Sequence, residues 1–210
     1  NQTEEEFADS RFQVLSELTR LRQLCCDPAL VYENYEGGSA KLDLCIELIQ
    51  SAVESGHKIL LFSQFTSMIE ILTARLQEES ISCFVLQGST KKEQRAQMVE
   101  QFNRDDTSVF CISLKAGGTG LNLTGADIVI HYDPWWNVAV ENQATDRAHR
   151  IGQKNVVTVY KLIAKGTIEE KIIKLQQMKK ELAEEILSGD EIKTASFQRE
   201  ELLELLEERF

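Results

Sequence analysis

Strand-like and helix-like segments alternate between residues 58 and 163, and this alternation constrains the fold more than any other feature of the sequence. The continuous apolar run at 58–62 is typical of a strand that is buried on both faces of a parallel sheet. The apolar periodicity predicts further strands at 82–86, 108–113, 127–132 and 156–163, and helices at 67–79, 91–103 and 137–149. Strands joined through helices need crossover connections, so we expect an α/β fold with a parallel sheet flanked by helices.

Helices are also predicted at both ends of this alternating region. Apolar residues recur at helical spacing in 7–26 and 42–55, and charged amphipathic helices are predicted from residue 166 onward, with a break at 188–190. Thr90 and Glu93 have the spacing of a capping box, which predicts that Thr90 caps the helix that follows it. We therefore expect three parts: a helix and loop at 1–40, an α/β lobe at 41–165 and a helical extension at 166–210.

The composition is typical of a protein with a sizeable buried core, since 42% of the residues are hydrophobic and 27% are charged. No apolar run approaches the ~18 residues of a membrane-spanning helix, and no secretory pattern opens the sequence, so we expect neither a membrane protein nor a secreted one. The five cysteines include no C-x-x-C pair, which favours reduced thiols in an intracellular compartment, cytoplasmic or nuclear. The histidines lack metal-ligand spacing, and we expect no metal site held by this chain alone.

The net charge of −11 would argue against a nucleic-acid partner if the charge were evenly spread. Residues 86–165, however, hold 10 basic and 8 acidic side chains, whereas residues 166–210 hold 7 basic and 12 acidic ones. The acidic excess therefore lies mainly in the predicted terminal helices. A local phosphate-binding face is compatible with this distribution.

The sequence lacks the motif with which P-loop ATPases bind phosphates. That motif needs a glycine followed by lysine and then by serine or threonine, and no glycine here is followed by lysine. The Asp190-Glu191 pair lies at a predicted break between helices and not at a strand end, where it could hold a metal ion. By itself, the chain is therefore not expected to hydrolyse ATP.

A glycine-rich segment at 115–124 directly follows a predicted strand, and three interpretations fit it. A dinucleotide-binding fingerprint built on Gly118 and Gly120 would need a third glycine where Leu123 stands. A tight strand-to-helix turn would explain the glycines structurally. A loop whose backbone approaches phosphates at the carboxyl edge of the sheet would explain them functionally.

Polar residues downstream of this segment are candidates for binding an anion. In a helix over 137–149, the spacing of Gln143, Arg147 and Arg150 places them on one face. Gly152 is a candidate C-cap for this helix. A planar array of donors of this kind suits a phosphate, although solvated surface arginines have the same spacing. The spacing alone leaves both interpretations open.

Several segments of the sequence have the order and spacing of one family's motifs. The segments are 60–66, 113–123, 133–137 and 143–153, together with 22–28, 86–90 and 159–163. The most specific run among them is Asp-Arg-Ala-His-Arg-Ile-Gly-Gln at 146–153. In these segments the chain resembles the Snf-type family of DNA-dependent ATPases, within helicase superfamily two, and the first four are similar to motifs IV, V and VI of that family.

The resemblance implies the second RecA-like lobe of a two-lobe motor that uses ATP with Mg²⁺ to translocate on double-stranded DNA. The first lobe would hold most of the nucleotide and the metal ion, which accounts for the missing phosphate cradle. Arg147 and Arg150 would be arginine fingers, worth about 10³–10⁵ in rate, with Gln143 beside them. Residues of the glycine-rich segment would couple the nucleotide cleft to the DNA groove: Gly118, Gly120 and Asn122.

The resemblance also implies contacts to the DNA backbone, through side chains that can hold phosphates without reading bases. These residues are Gln64, Phe65, Thr90, Ser113, Lys115, Trp136 and Asn137. One tryptophan of the Trp135-Trp136 pair is expected in the core and Trp136 at the DNA, because successive residues leaving a strand point in opposite directions. Lys91, Lys92 and Arg95 are expected to form a solvated helix face, with DNA contact as the alternative.

The expected partners are double-stranded DNA, the first RecA-like lobe and a protein bound on the DNA, with no membrane. Two rival functions fit the same sequence: a DNA- or protein-binding module that takes no part in hydrolysis, and a helicase that separates strands. The combination of Gln143, Arg147 and Arg150 favours a hydrolytic lobe. The Trp-Trp-Asn run favours a translocase on duplex DNA.

Overall fold

A parallel sheet organises the part of the chain that the computed structural model describes, namely residues 4–114, 116, 121–148 and 156–188. Its strands are β1 (Ile59–Ser63), β2 (Cys83–Leu86), β3 (Val109–Ser113), β4 (Ile128–His131) and β5 (Thr158–Lys161), and they lie in the order β2-β3-β1-β4-β5. Every pairing between neighbours is parallel. The parallel α/β sheet that the alternation predicts is confirmed.

Helices cover both faces of this sheet. Within the described residues the α-helices are α1 (Glu4–Cys26), α2 (Ala40–Glu54), α3 (Thr66–Glu78), α4 (Lys92–Arg104), α5 (Val138–Thr145) and α6 (Ile168–Ser188), and a short 3₁₀ helix follows α1 at Pro28–Leu30. Leu61 of β1 belongs to the core formed with α2 and α3, whereas its neighbour Phe62 belongs to the core formed with α4 and α5. Because both faces are covered, every residue of β1 is buried.

The N-terminus of α4 differs from the sequence-based expectation. The helix begins after Lys91, whose side chain makes no capping hydrogen bond. The Thr90 Oγ1 atom instead accepts a hydrogen bond from Gln87 N (3.1 Å), so this hydroxyl closes the loop between β2 and α4. The capping-box prediction is therefore wrong. The predicted break at 188–190 and the helix beyond it lie outside the described residues, apart from Ser188 itself.

The helices at the two ends of the chain pack against each other and against the lobe. Leu18 of α1 and Ile168 of α6 form a small apolar cluster. Lys41 in the first turn of α2 pairs with Glu169 of α6 at 2.5 Å, and both side chains are buried. These contacts fix both helices to the sheet-bearing part of the chain. No helix among the described residues is both long and apolar enough to cross a membrane.

Candidate functional site

The carboxyl ends of β1, β3 and β4 lie side by side at one edge of the sheet, because the three strands are parallel neighbours. Gln64 and Phe65 follow β1, Ser113 ends β3, and Trp136 follows β4 after a short loop. Ligands of open α/β sheets bind outside this edge. The topology therefore brings together four of the residues that the family resemblance assigns to DNA contacts.

Asp133 joins the segment that follows β4 to the end of β1 and the residues after it. Its carboxylate is buried and accepts hydrogen bonds from Ser63 Oγ (2.5 Å) and from Gln64 N (3.3 Å). Ser63 Oγ in turn accepts a hydrogen bond from Phe65 N (3.2 Å). Burial raises the pKa of Asp133 to about 6, against the opposing effects of the Ser63 hydrogen bond and the Arg22 charge. The segment that begins at Gln64 is thereby held to the segment that follows β4.

Gln64 and Ser113 carry buried polar atoms that have no hydrogen-bond partner in the described structure, namely Gln64 Nε2 and Ser113 Oγ. The two residues are 7% and 1% exposed. Leaving a buried polar group unpaired costs about 1–3 kcal/mol, which a ligand oxygen at this edge would recover. An amide and a hydroxyl are both donors that suit a phosphate oxygen. This edge of the sheet therefore carries two unpaired donors, which a phosphate would reach once the groups that cover them move aside.

The two tryptophans do not divide into one buried and one exposed ring. Both are half-buried: Trp135 packs on the core of α4 and α5, and Trp136 packs on the α1–α6 cluster. Both rings also contact the guanidinium of Arg22, whose carbon lies 5.5 Å and 5.4 Å from the respective ring centroids. The expected difference in burial between the two rings is therefore not found, because the α1 and α6 helices cover part of the second ring. The DNA contact of Trp136 stays a prediction. Asn137 is exposed and caps α5 by accepting a hydrogen bond from Ala139 N (3.0 Å).

Gln143 and Arg147 do not share a solvent-facing helix surface. α5 ends at Thr145, and Arg147 N then donates to the carbonyl three residues earlier (3.3 Å), which tightens the chain into a turn. Gln143 is exposed, whereas Arg147 is 5% exposed and its guanidinium carbon lies 5.7 Å from the Phe62 ring centroid. The prediction of one common helical face is therefore wrong for this pair. Their roles toward a nucleotide stay predictions, as does that of Arg150, which lies outside the described residues.

A neutral histidine lies next to the same aromatic ring. The ring of His131 stacks on that of Phe62, with 5.5 Å between centroids and 20° between planes. Burial lowers the pKa of His131 to about 4, so the imidazole is uncharged at neutral pH and does not repel the guanidinium of Arg147.

The glycine-rich segment is described in part. Lys115, Gly118 and Gly120 lie outside the described residues, and Asn122 is exposed. Leu123, which stands where a dinucleotide fingerprint would have its third glycine, is fully buried, and its N–H donates to Arg147 O (3.1 Å). The end of the segment that follows β3 is thus joined directly to the turn that carries Arg147.

Arg95 is a residue whose position the sequence does not reveal. It is half-buried and donates to the carbonyl oxygens of Thr90 (2.8 Å), Gln87 (3.3 Å), Gly88 (3.2 Å) and Ala116 (3.1 Å). The guanidinium therefore joins the loop after β2 to the loop after β3. The expected solvated side chain is therefore wrong for Arg95, although Lys91 and Lys92 are exposed as expected. A DNA contact of Arg95 stays a prediction. The acceptors of its guanidinium are all backbone oxygens, which every residue has. The hydrogen bonds of Arg95 therefore could not be predicted from the spacing of side chains in the sequence.

The residues at this edge fit phosphate groups better than a metal ion. The donors of Gln64, Ser113 and Arg147 suit phosphate oxygens. The carboxylate of Asp133 already accepts hydrogen bonds from two neighbours. Among the described residues, no three histidine, cysteine, aspartate or glutamate side chains form a group that could hold a metal ion.

Comparisons with known proteins agree with this geometry. A family model for the helicase conserved C-terminal domain matches residues 40–152. An uncharacterized ATP-dependent helicase of Mycoplasma pneumoniae is 45% identical over 202 residues, which cover 94% of this chain and 19% of that protein. The human chromatin-remodeling ATPase INO80 is 43% identical over 169 residues, which cover 80% of this chain and 11% of that protein. The chain thus spans about a fifth or less of the length of these curated relatives.

A solved structure shows the same fold. The SWI2/SNF2 ATPase core of Sulfolobus solfataricus, in complex with double-stranded DNA, superposes with a TM-score of 0.69 at 37% identity. The superposition covers 84% of this chain and 38% of that one, as expected for one lobe matched to a larger core. The chain belongs to the helicase conserved C-terminal domain family and is the second, RecA-like lobe of a Snf-type ATPase of helicase superfamily two.

Proposed function

We propose that this lobe works in a two-lobe protein that hydrolyses ATP on double-stranded DNA, translocates along it and remodels protein bound to it. Its relatives support ATP hydrolysis, remodelling and DNA binding: one is an ATP-dependent helicase by name, one is a chromatin-remodeling ATPase, and a third is a core in complex with double-stranded DNA. Translocation is proposed from the Trp-Trp-Asn run at 135–137. The protein would act inside the cell where the DNA is, in the cytoplasm or the nucleus. The observation that carries the proposal is the pair of buried, unpaired donors on Gln64 and Ser113.

The DNA would be gripped by its phosphates along the carboxyl edge of the sheet. Gln64 directly follows β1, and Ser113 ends the neighbouring strand β3. Once the groups that cover them move aside, Gln64 Nε2 and Ser113 Oγ would each donate to a phosphate oxygen. The remaining contacts would come from residues around this pair: Phe65, Thr90, Lys115, Trp136 and Asn137. Contacts of this kind fix the register of a duplex without reading its sequence.

The nucleotide would sit between this lobe and the first one, which would hold most of the ATP and the Mg²⁺ ion. When bound, Mg²⁺ neutralises charge on the β- and γ-phosphates. Arg147 and Arg150 would place guanidinium groups against the γ-phosphate, with Gln143 at the rim. Because Arg147 is buried, its guanidinium is held in place before the nucleotide arrives, which is the condition for stabilising a transition state without reorganisation.

The hydrogen bond from Leu123 N to Arg147 O supports a link between the two functions. The glycine-rich segment begins next to Ser113, a proposed DNA contact. At its other end, Leu123 is hydrogen-bonded to the turn that contains Arg147. A shift of the DNA-contacting end would therefore act on the arginine through Gly118, Gly120 and Asn122.

Steady-state ATPase activity of the two-lobe protein, with and without duplex DNA, tests this function. We expect DNA to stimulate the activity and the 210-residue chain alone to show no turnover, because its sequence has no phosphate cradle. Displacement of a third strand from a triplex would report translocation, and unwinding of a forked duplex would report strand separation. An ATPase rate that duplex DNA does not change, or the absence of any ATPase activity, would overturn the proposal in favour of a binding module.

A substitution at the sheet edge tests the observation behind the proposal. Ser113→Ala removes the unpaired hydroxyl with little change of volume, so the DNA concentration for half-maximal stimulation should rise about threefold to tenfold, as for the loss of one hydrogen bond. Ser89→Ala, which removes an exposed hydroxyl from the loop before α4, is the matched control. Equal DNA dependence of the two variants would contradict the phosphate contact.

A further inference from the structure

Arg22 is a buried arginine on α1, outside the residues that the family model matches. It is 5% exposed and lies one turn before the end of the helix. Burial of a guanidinium is costly unless its charge and its donors find partners. Its surroundings therefore show what the residue does.

The partners of Arg22 all belong to the two segments that are proposed to grip DNA. Its Nη2 donates to Pro134 O (2.7 Å), in the loop after β4. Its guanidinium carbon lies 5.7 Å from the ring centroid of Phe65, 5.5 Å from that of Trp135 and 5.4 Å from that of Trp136. Burial lowers the pKa of Arg22, and the nearby Asp133 opposes this shift. Because an arginine guanidinium keeps its proton in proteins, the group is charged and attracts the aromatic faces.

The loop after β4 is also held by α6 and by the end of α1. Gln176 of α6 donates from its side-chain amide to Trp135 O. Tyr132 Oη donates to Cys26 O at the end of α1 (2.9 Å). The loop thus lies between two helices that the family model does not include, and its conformation depends on them.

We propose that Arg22 is a positioning residue for the DNA grip: it fixes the rings of Phe65 and Trp136 and the loop between β4 and α5 in the arrangement that binds the duplex. This inference rests on the proposed function in so far as the two rings meet DNA. A planar group is needed because one guanidinium faces several rings and donates in its own plane to a carbonyl. Lysine keeps the charge but cannot reproduce that geometry.

Tryptophan fluorescence of the 210-residue chain reads this arrangement directly, since its only two tryptophans are the ones that contact Arg22. In Arg22→Lys we expect the acrylamide quenching constant to rise about twofold, because the rings lose their planar partner. Arg20→Lys, at an exposed position of the same helix, is the matched control and should leave quenching unchanged. Thermal unfolding of both variants reports whether the fold is retained.

Duplex binding at fixed salt and DNA-stimulated ATPase of the two-lobe protein give the functional readout. We expect Arg22→Lys to raise the DNA concentration for half-saturation about tenfold and to leave kcat at saturating DNA within about twofold of wild type. A merely structural defect would lower kcat together with the unfolding temperature. In a double-mutant cycle, Arg22→Lys should weaken DNA binding far less in the Trp136→Phe background, because Arg22 acts through that ring.

Identical quenching and identical half-saturation for Arg22→Lys and Arg20→Lys would overturn the proposal. So would an additive cycle with Trp136→Phe, which would mean that Arg22 acts independently of that ring. A wild-type protein that binds duplex DNA but shows no DNA-stimulated ATPase would overturn the proposed function, and the binding data would still decide the role of Arg22. A wild-type protein that does not bind duplex DNA would overturn both.

Discussion

Arg147 combines a proposed catalytic role with a structural one, since its guanidinium packs over the ring of Phe62. We expect Arg147→Ala to lower the DNA-stimulated ATPase rate about 10³-fold, within the range of arginine fingers, and also to lower the unfolding temperature. Arg147→Lys should recover part of the stability but little of the rate, because an ammonium does not reproduce the planar fork. ATPase assays and thermal unfolding measure the two effects separately.

Arg150→Ala is the comparison for that experiment and should also lower the rate about 10³-fold. The double mutant should be far less than additively worse, since both groups act on one transition state. Duplex affinity at fixed salt should change little in either single mutant. Normal turnover in both would remove the arginine-finger assignment.

Asp133 should make the stability of the lobe depend on pH. Its pKa rises from 3.8 to about 6 on folding, so the folded state binds this proton more tightly than the unfolded chain does. The resulting stabilisation is fully present below the unfolded pKa and is lost as the pH rises through the folded one. Relative to Asp133→Asn, the wild type should lose on the order of 2–3 kcal/mol between about pH 4 and about pH 7.

Urea unfolding across this pH range measures the Asp133 effect as the difference between the two curves. Asparagine keeps a side-chain oxygen that can accept from Ser63 Oγ, so the comparison isolates the titration. Asp106→Asn, at an exposed carboxylate, is the control for general charge effects. Parallel curves for wild type and Asp133→Asn would show that the buried carboxyl does not titrate in this range.

The N-terminal part of α4 is fastened to two loops through Arg95. Loss of its hydrogen bonds in Arg95→Ala should lower the free energy of unfolding by about 1–3 kcal/mol. Local opening should also speed hydrogen exchange at the amides of Gln87 and Thr90, which are bonded within the loop. Duplex affinity should fall as well if Thr90 contacts DNA. Exchange mass spectrometry and duplex binding measure these effects.

Lys92→Ala is the matched control for Arg95→Ala, because Lys92 is exposed on the same helix. It should change stability by no more than about 0.5 kcal/mol. If the loop amides exchange equally fast in the two variants, Arg95 does not hold the loop closed.

Helix α6 contributes to the stability of the whole molecule through a buried ion pair with α2. Lys41 and Glu169 join α2 to α6, and their side chains are 8% and 1% exposed. Lys41→Met would leave the carboxylate of Glu169 buried without its cation, which typically costs about 3–5 kcal/mol. Lys165→Met, at an exposed position, should cost at most about 0.5 kcal/mol.

Denaturant unfolding of these variants tests whether α6 is an integral part of the lobe. Adding Glu169→Gln to Lys41→Met should regain part of the loss, because the buried charge is then gone while Ala164 N can still donate to the side-chain oxygen. Equal, small losses for Lys41→Met and Lys165→Met would mean that α6 contributes little to folding.

At the scale of the whole molecule, the sequence by itself determined the parallel sheet and the family. β1 was predictable because a strand covered on both faces must be apolar throughout, and that requirement is visible as a continuous run. The placement of Gln64 and Ser113 at one edge followed from parallel topology, since the carboxyl ends of neighbouring strands meet there. Motif order then identified the lobe without any knowledge of side-chain packing.

Only the tertiary structure decided which polar side chains join segments that are distant in sequence. Arg22 and Arg147 are buried and Arg95 is half-buried, whereas Arg20 and Gln143 are exposed. The partners of these three arginines include backbone carbonyls and aromatic rings of segments that are distant in sequence. A backbone oxygen is the same at every residue, so a hydrogen bond to it leaves no signature in the sequence. The end of α5 could not be predicted for the same reason: the turn that follows this helix is held by a hydrogen bond from Leu123 N to the backbone oxygen of Arg147.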